Sequence, residues 1–119
     1  MLYLCRMEVE KTIAQMRKGV LEYCILSLLS RQEAYASDII DRFKASHLIL
    51  VEGTLYPLLT RLKNDGLLSY RWEESRSGPP RKYFQITEIG QAYVIELNKS
   101  WEELVEGVNQ IVETNNSKS

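Results

Sequence analysis

The chain has 119 residues, 45% of them apolar and 26% charged, with a formal net charge of −1, which is one domain of ordinary globular composition whose bulk charge does not announce a nucleic-acid binder. Two cysteines, Cys5 and Cys24, are too few for a disulfide scaffold and lack metal-site spacing. The opening apolar run, residues 1–5, is too short for a signal-peptide core and no run approaches membrane-spanning length, so a cytoplasmic protein without a membrane partner is expected.

From Glu8 to about Ser30 the apolar residues Ile13, Met16, Val20, Leu21, Cys24, Ile25, Leu28 and Leu29 recur at helical spacing and give a first helix with one wide stripe. The segment before it, residues 1–12, is expected to be an extension. A second helix follows in Arg31–Ser46, with Ser37 as its N-cap and Ile39, Ile40 and Phe43 facing inward. Leu48–Val51 is β-like and long enough for one small edge strand. Glu52–Gly66 predicts a third helix, with Leu55, Leu58, Leu59 and Leu62 as its buried stripe, Pro57 near its first turn and Gly66 in the left-handed position that ends it.

Leu68, Tyr70 and Trp72 alternate with Ser69, Arg71 and Glu73, and Phe84 and Ile86 point inward from a partner run. Gly78-Pro79-Pro80 is expected to join the two runs through a loop longer than a two-residue turn. Thr87 caps a last helix that runs to about Thr114, where Ile89, Tyr93, Leu97, Trp101, Leu104, Val108 and Ile111 recur every three or four residues. Residues 115–119 are expected to fray. The fold class is mainly α with a small β-hairpin: a winged helix-turn-helix domain over residues 13–86 and a long C-terminal dimerisation helix over residues 87–114.

Charge is distributed unevenly. Residues 87–119 hold six acidic and two basic groups, and residues 1–86 hold thirteen basic and ten acidic ones, so the front is about +3 and the tail about −4. A recognition helix must offer groups that reach bases and phosphates in a major groove about 12 Å wide. Off the leucine stripe, the third helix offers Thr54, Tyr56, Thr60, Arg61 and Lys63, with Tyr56, Thr60 and Lys63 on one face. Arg76, Arg81 and Lys82 crowd the hairpin tip, where Tyr83 can add a phenolic hydrogen bond to phosphate. These nine residues are the DNA-contact candidates. The plainer readings are a solvated helix face and a charged tip that blocks edge-to-edge aggregation.

Three stretches, Met16–Ser30, Glu52–Leu68 and Ser77–Gly90, together resemble the PadR-like transcriptional regulators. The combination that carries the resemblance is Thr54-Leu55-Tyr56-Pro57, then Arg61-Leu62, Gly66-Leu67, Gly78-Pro79-Pro80-Arg81-Lys82-Tyr83 and Thr87-Glu88 with Gly90. The chain departs from the usual pattern after Tyr35, where Ala36-Ser37 stand for a glycine and an aromatic residue. The resemblance implies a homodimeric bacterial repressor that binds double-stranded operator DNA, with the third helix in the major groove and the wing on the backbone. The short tail matches the subgroup with a single C-terminal helix.

A long helix with a wide apolar stripe cannot bury that stripe alone, and a second copy is the expected solution. The interface candidates are Ile13, Met16, Tyr93, Leu97, Trp101, Leu104, Val108 and Ile111. Trp101 either fills this dimer core or, as the resemblance implies for some members of the subgroup, stacks with its twofold mate on a small flat aromatic effector. No cofactor, metal or catalytic constellation is expected, His47 being the single histidine. Two rival readings are a winged-helix protein-interaction module and a thiol sensor using Cys5 and Cys24.

Overall fold

The computed structural model describes the backbone of residues 2–117 and the side chains of residues 5–113. The order of elements is α1 (Leu2–Arg31), β1 (Ala34–Tyr35), α2 (Ala36–Ala45), α3 (Glu52–Asn64), β2 (Leu68–Ser75), β3 (Gly78–Ile86) and α4 (Glu88–Ser117). The three strands form one antiparallel sheet in the order β1-β3-β2. The core is built where the apolar stripes converge: Ile25, Leu26 and Leu29 of α1, Ile39 and Phe43 of α2, Leu55, Leu59 and Leu62 of α3, Phe84 of β3 and Val94 of α4 are all buried. Among the described residues no helix is long and apolar enough to cross a membrane.

The junction between α3 and the hairpin shows how sequence fixes geometry. Gly66 adopts φ +80°, which a Cβ would disfavour. Its N–H donates to the Lys63 carbonyl and the Leu67 N–H to the Leu62 carbonyl, each at 3.0 Å. This is the Schellman closure, and the accompanying apolar contact is supplied by buried Leu62 and Leu67. Thr87 ties the start of α4 to the same point: its Oγ1 donates to the Gly66 carbonyl at 2.7 Å and accepts the Gly90 N–H at 3.0 Å.

That bolt leaves no room at Gly90. A Cβ there would collide with the Leu67 carbonyl oxygen and lie 2.6 Å from Ile86 Cγ1. Backbone cannot swing aside as a side-chain tip can. Gly90→Ala is therefore expected to destabilise the domain by about 2 kcal/mol, within the range for overpacking. Gly107 of α4 has open space around it. Gly107→Ala is expected to stabilise by up to about 1 kcal/mol through helix propensity. Thermal melts of the two variants should move in opposite directions, and parallel shifts would refute the steric account.

The structure departs from the sequence expectations at six points. The first helix starts at Leu2 rather than near Glu8, so the segment 1–12 enters α1 from residue 2. The N-cap of α2 is Tyr35, not Ser37; the Asp38 carboxylate accepts the Tyr35 N–H at 3.0 Å, which leaves Ser37 on the exposed first turn. Leu48–Val51 forms no strand. Leu50 is buried and its neighbours Ile49 and Val51 are exposed, so the alternation is real, but no partner strand lies alongside. The strand that does join the sheet is β1, which pairs Ala34 with Phe84 and Tyr35 with Tyr83. Pro57 sits inside α3, a turn further in than expected, and offers no N–H to the carbonyl of Gly53 four residues before it.

The fifth point is the wing. The hairpin turn is the two-residue Arg76-Ser77, closed by a Ser75–Gly78 pair, and Pro79 and Pro80 lie within β3. They fall at the register shift between Glu73 and Ser75, where ladder bonds are already interrupted and two residues without N–H groups cost little. At the far end, α4 continues to Ser117 through residues expected to fray, and residues 118–119 lie outside the described part.

Candidate nucleic-acid interface

The outer face of α3 and the inner edge of the wing meet at one surface. Tyr56, Thr60 and Lys63 stand exposed on the same side of α3, as their spacing of four and three dictates. They share a shallow cavity of about 130 Å³ with Tyr70 of β2 and Lys82 of β3. Two cations approach the Tyr70 ring, Lys63 Nζ 5.9 Å and Lys82 Nζ 4.5 Å from its centre. Lys82 also lies 5.6 Å from the Trp72 ring. Contacts of this kind hold ammonium groups in place while leaving their N–H donors free. Lys63, Lys82 and Arg76 are in no ion pair among the described residues.

Beside this surface lies a second hollow of about 420 Å³, between the start of α2, α3 and the wing, bordered by Ser37, Tyr56, Trp72, Arg81 and Lys82. Arg81 stacks on Tyr35 at 4.0 Å and donates to Ser37 Oγ at 2.6 Å, which fixes the wing against the first turn of α2. Tyr83 is half-buried, edge-on to Tyr35 at 4.8 Å and covered by Arg71 at 4.6 Å. Arg71 is in turn paired with Glu33 at 2.9 Å and with Glu73. Tyr83 and Arg71 thus tie the small sheet together.

The structure therefore divides the nine sequence candidates. Tyr56, Thr60, Lys63 and Lys82 come together, Arg81 borders them, Thr54 is exposed near the start of α3 and Arg76 occupies the wing tip. Tyr83 lies in the stack beneath the wing. Arg61 faces the other way and pairs with Glu22 of α1 at 2.7 Å, bracing the helix that carries the exposed face. Such a brace predicts little direct effect on DNA. A double-mutant cycle on Glu22 and Arg61 is expected to give a coupling of about 0.5–1 kcal/mol, as for partly exposed pairs. The charge swap, Glu22→Arg with Arg61→Glu, should restore both stability and DNA affinity lost in Arg61→Glu; a swap that restores stability alone would make Arg61 a DNA ligand.

The sequence places Trp72 on one strand face with Leu68 and Tyr70, and Trp72 is not among the nine candidates. It is 62% exposed. At about 3.3 Å per residue an eight-residue strand outruns a small core, so the alternation continues past the point where there is anything to cover. Ser37 was read as a cap and sits instead under Arg81. Among the described residues no group of three or more His, Cys, Asp or Glu side chains is placed to hold a metal ion.

A helix face and a wing that offer free cations and hydroxyls, mounted on a three-helix core, are the parts needed to follow a duplex backbone and read its groove. Comparison with known proteins agrees. The model of the transcriptional regulator PadR-like family matches residues 25–96. A solved PadR-like transcription factor from Bacteroides fragilis is 61% identical, covers 85% of this chain and 98% of its own, and superposes with a TM-score of 0.73. A PadR family transcriptional regulator from Eggerthella lenta is 31% identical over 94% of this chain and 98% of its own, with a TM-score of 0.84. A protein from Lysinibacillus sphaericus is 30% identical over 99 residues, which span 81% of this chain and 91% of its own. With α3 and the wing lying inside the matched segment, the chain belongs to the PadR-like family and is a DNA-binding transcriptional regulator, not an enzyme.

Proposed function

We propose that the protein is a repressor that binds operator DNA as a twofold homodimer, with Tyr56, Thr60 and Lys63 in the major groove and Lys82, Arg81 and Arg76 on the phosphates beside it. The observation that carries this reading is the convergence of Lys63 and Lys82 on Tyr70, which sets two unpaired cations on adjoining elements of one surface. Dimerisation is supported by α4. Tyr93, Leu104, Val108 and Ile111 are 42%, 58%, 48% and 70% exposed, and Ile13 and Met16 of α1 are 46% and 70% exposed. Leu97 packs partly on the chain's own core and contributes less. A second copy laid on this face would place two recognition helices about 34 Å apart, one DNA turn.

Trp101 is 39% exposed and its ring is 6.0 Å from that of Tyr23. In the dimer it supplies a stacking surface for a small aromatic effector, whose binding would change the spacing of the two wings. The test is fluorescence anisotropy with duplexes tiling the region upstream of the protein's own gene, over a series of salt concentrations. One tight, steeply salt-dependent site is expected. Weak binding of equal strength to every duplex would favour the protein-interaction reading instead.

A further inference from the structure

We propose that Trp72 is a DNA contact of the wing: its indole packs on a deoxyribose of the strand whose phosphates Lys82 and Arg81 hold, and supplies a part of the affinity that salt does not screen. The inference rests on the reading that the surface of α3 and the wing faces a duplex, and it adds an apolar contact to a surface built otherwise of cations and hydroxyls.

Trp72 is 62% exposed, while Leu68 and Tyr70 on the same strand face are buried and half-buried. Its ring stands edge-on to that of Tyr70, with centroids 6.0 Å apart and planes at 87°, which limits the orientations open to it. Lys82 lies directly opposite in the ladder, its Nζ 5.6 Å from the Trp72 ring. An exposed indole beside an ammonium group suits a partner that alternates apolar and anionic groups at short intervals. A DNA strand is such a partner, with one deoxyribose between successive phosphates.

The surroundings decide which part of the strand meets the indole. Trp72, Tyr56 and Pro80 border the hollow of about 420 Å³ between the start of α2, α3 and the wing, together with Arg81, Lys82 and Glu52. Glu52 is the one carboxylate among the bordering residues, and it opposes a phosphate set inside the hollow. The neutral sugar is therefore the group that fits over Trp72 and Pro80, with its phosphates displaced toward Lys82 and Arg81. Sugar C–H groups laid on the indole take apolar surface out of water on both sides. Such a contact releases no counterion and reads no base.

The test uses the full chain labelled with 5-fluorotryptophan, which has two tryptophans, Trp72 and Trp101. Trp72→Phe removes one fluorine resonance and so assigns it. The probe is the duplex that binds most tightly among those tiling the upstream region. On binding, the Trp72 resonance should lose most of its H2O/D2O isotope shift, because the duplex excludes water from the ring. Trp72→Ala is expected to bind at least about tenfold more weakly at every salt concentration, in line with aromatic contacts to nucleic acid, with an unchanged slope of log K against log salt. Trp72→Phe should lose less. A Trp72 resonance that keeps its isotope shift in the complex overturns the proposal, as does a Trp72→Ala chain that binds like the wild type. A lower salt slope in Trp72→Ala also overturns it, since the ring would then act only by positioning Lys82. If Lys63→Ala with Lys82→Ala lowers the slope while Trp72 stays wet, the surface faces DNA and only the indole contact fails. If no upstream duplex binds specifically, the repressor reading fails, and the same resonance is read on a duplex of arbitrary sequence at low ionic strength, because packing on a sugar requires no particular base.

Discussion

A chain carrying Leu104→Asp and Ile111→Asp is expected to sediment as a 13.8 kDa monomer and to lose at least about a thousandfold in operator affinity, since one protomer then forfeits the millimolar effective concentration that tethers its mate. The two positions are seven apart, so they lie on one face of α4. Both side chains are exposed in the single chain, 58% and 70%, so the substitution removes nothing from the core and the melting profile of the monomer should survive. In a twofold assembly the same face is apposed to its own copy. Each new carboxylate would then be desolvated without a partner, and like charges would meet across the axis. Sedimentation of the wild type at twice the variant's mass, with matched circular dichroism, is the expected pair of results. A variant that stays dimeric would move the interface off this stripe, and a wild type that is itself monomeric would remove the dimer from the account.

Much of the fold was legible because its signals are local. The α1, α3 and α4 stripes follow from periodicity, and Gly66 and Thr87 mark boundaries by chemistry that operates within a few residues. What escaped was decided by contacts distant in sequence. β1 is two residues long and exists because Tyr83 and Phe84 of β3 offer it ladder bonds; no strand pattern fits in Ala34–Tyr35. Leu48–Val51 has the pattern but lacks the neighbour. Gly78-Pro79-Pro80 carries turn chemistry, and the turn still forms two residues earlier, because a bulge within the wing takes up the prolines. The candidate interface shows the same division. Which face of α3 is exposed follows from the leucine spacing. That Arg61 would be drawn to Glu22, thirty-nine residues earlier, and Arg81 to Ser37, depends on the packing of separate helices.

The near-zero net charge conceals a separation that matters for docking. Arg61, Lys63, Arg71, Arg76, Arg81 and Lys82 lie on α3 and the wing against Glu52, Glu73 and Glu74, a local excess of positive charge, while Glu88, Glu96, Glu102, Glu103, Glu106 and Glu113 lie on α4 against Lys99. A duplex approaching such a molecule is attracted at one end and repelled at the other, so the charge pattern orients the encounter without raising non-specific affinity at every face.

Lys63→Ala with Lys82→Ala tests where that attraction resides. Both ammonium groups lean on Tyr70 and neither has a carboxylate partner among the described residues. Their removal leaves no uncompensated charge behind, and the fold should hold, because neither side chain is buried. A phosphate contact releases counterions, and each one lost lowers the slope of log K against log salt by about 0.9. Two lysines in each of two protomers therefore predict a slope shallower by about 3.6 and an affinity near 0.1 M salt reduced by two to three orders of magnitude. Discrimination between operator and unrelated duplex should change little if both lysines serve the backbone. Were Lys63 instead to grip a base edge from the groove, specificity would fall with affinity, by about 1–3 kcal/mol per contact, and the slope would change by half as much. The single variants separate these outcomes: Lys82→Ala should weaken all duplexes alike, and Lys63→Ala is the one whose effect depends on which base pairs lie beneath α3. An unchanged slope in the double variant would mean that this surface does not face DNA at all, since no rearrangement of the remaining side chains can restore four released cations.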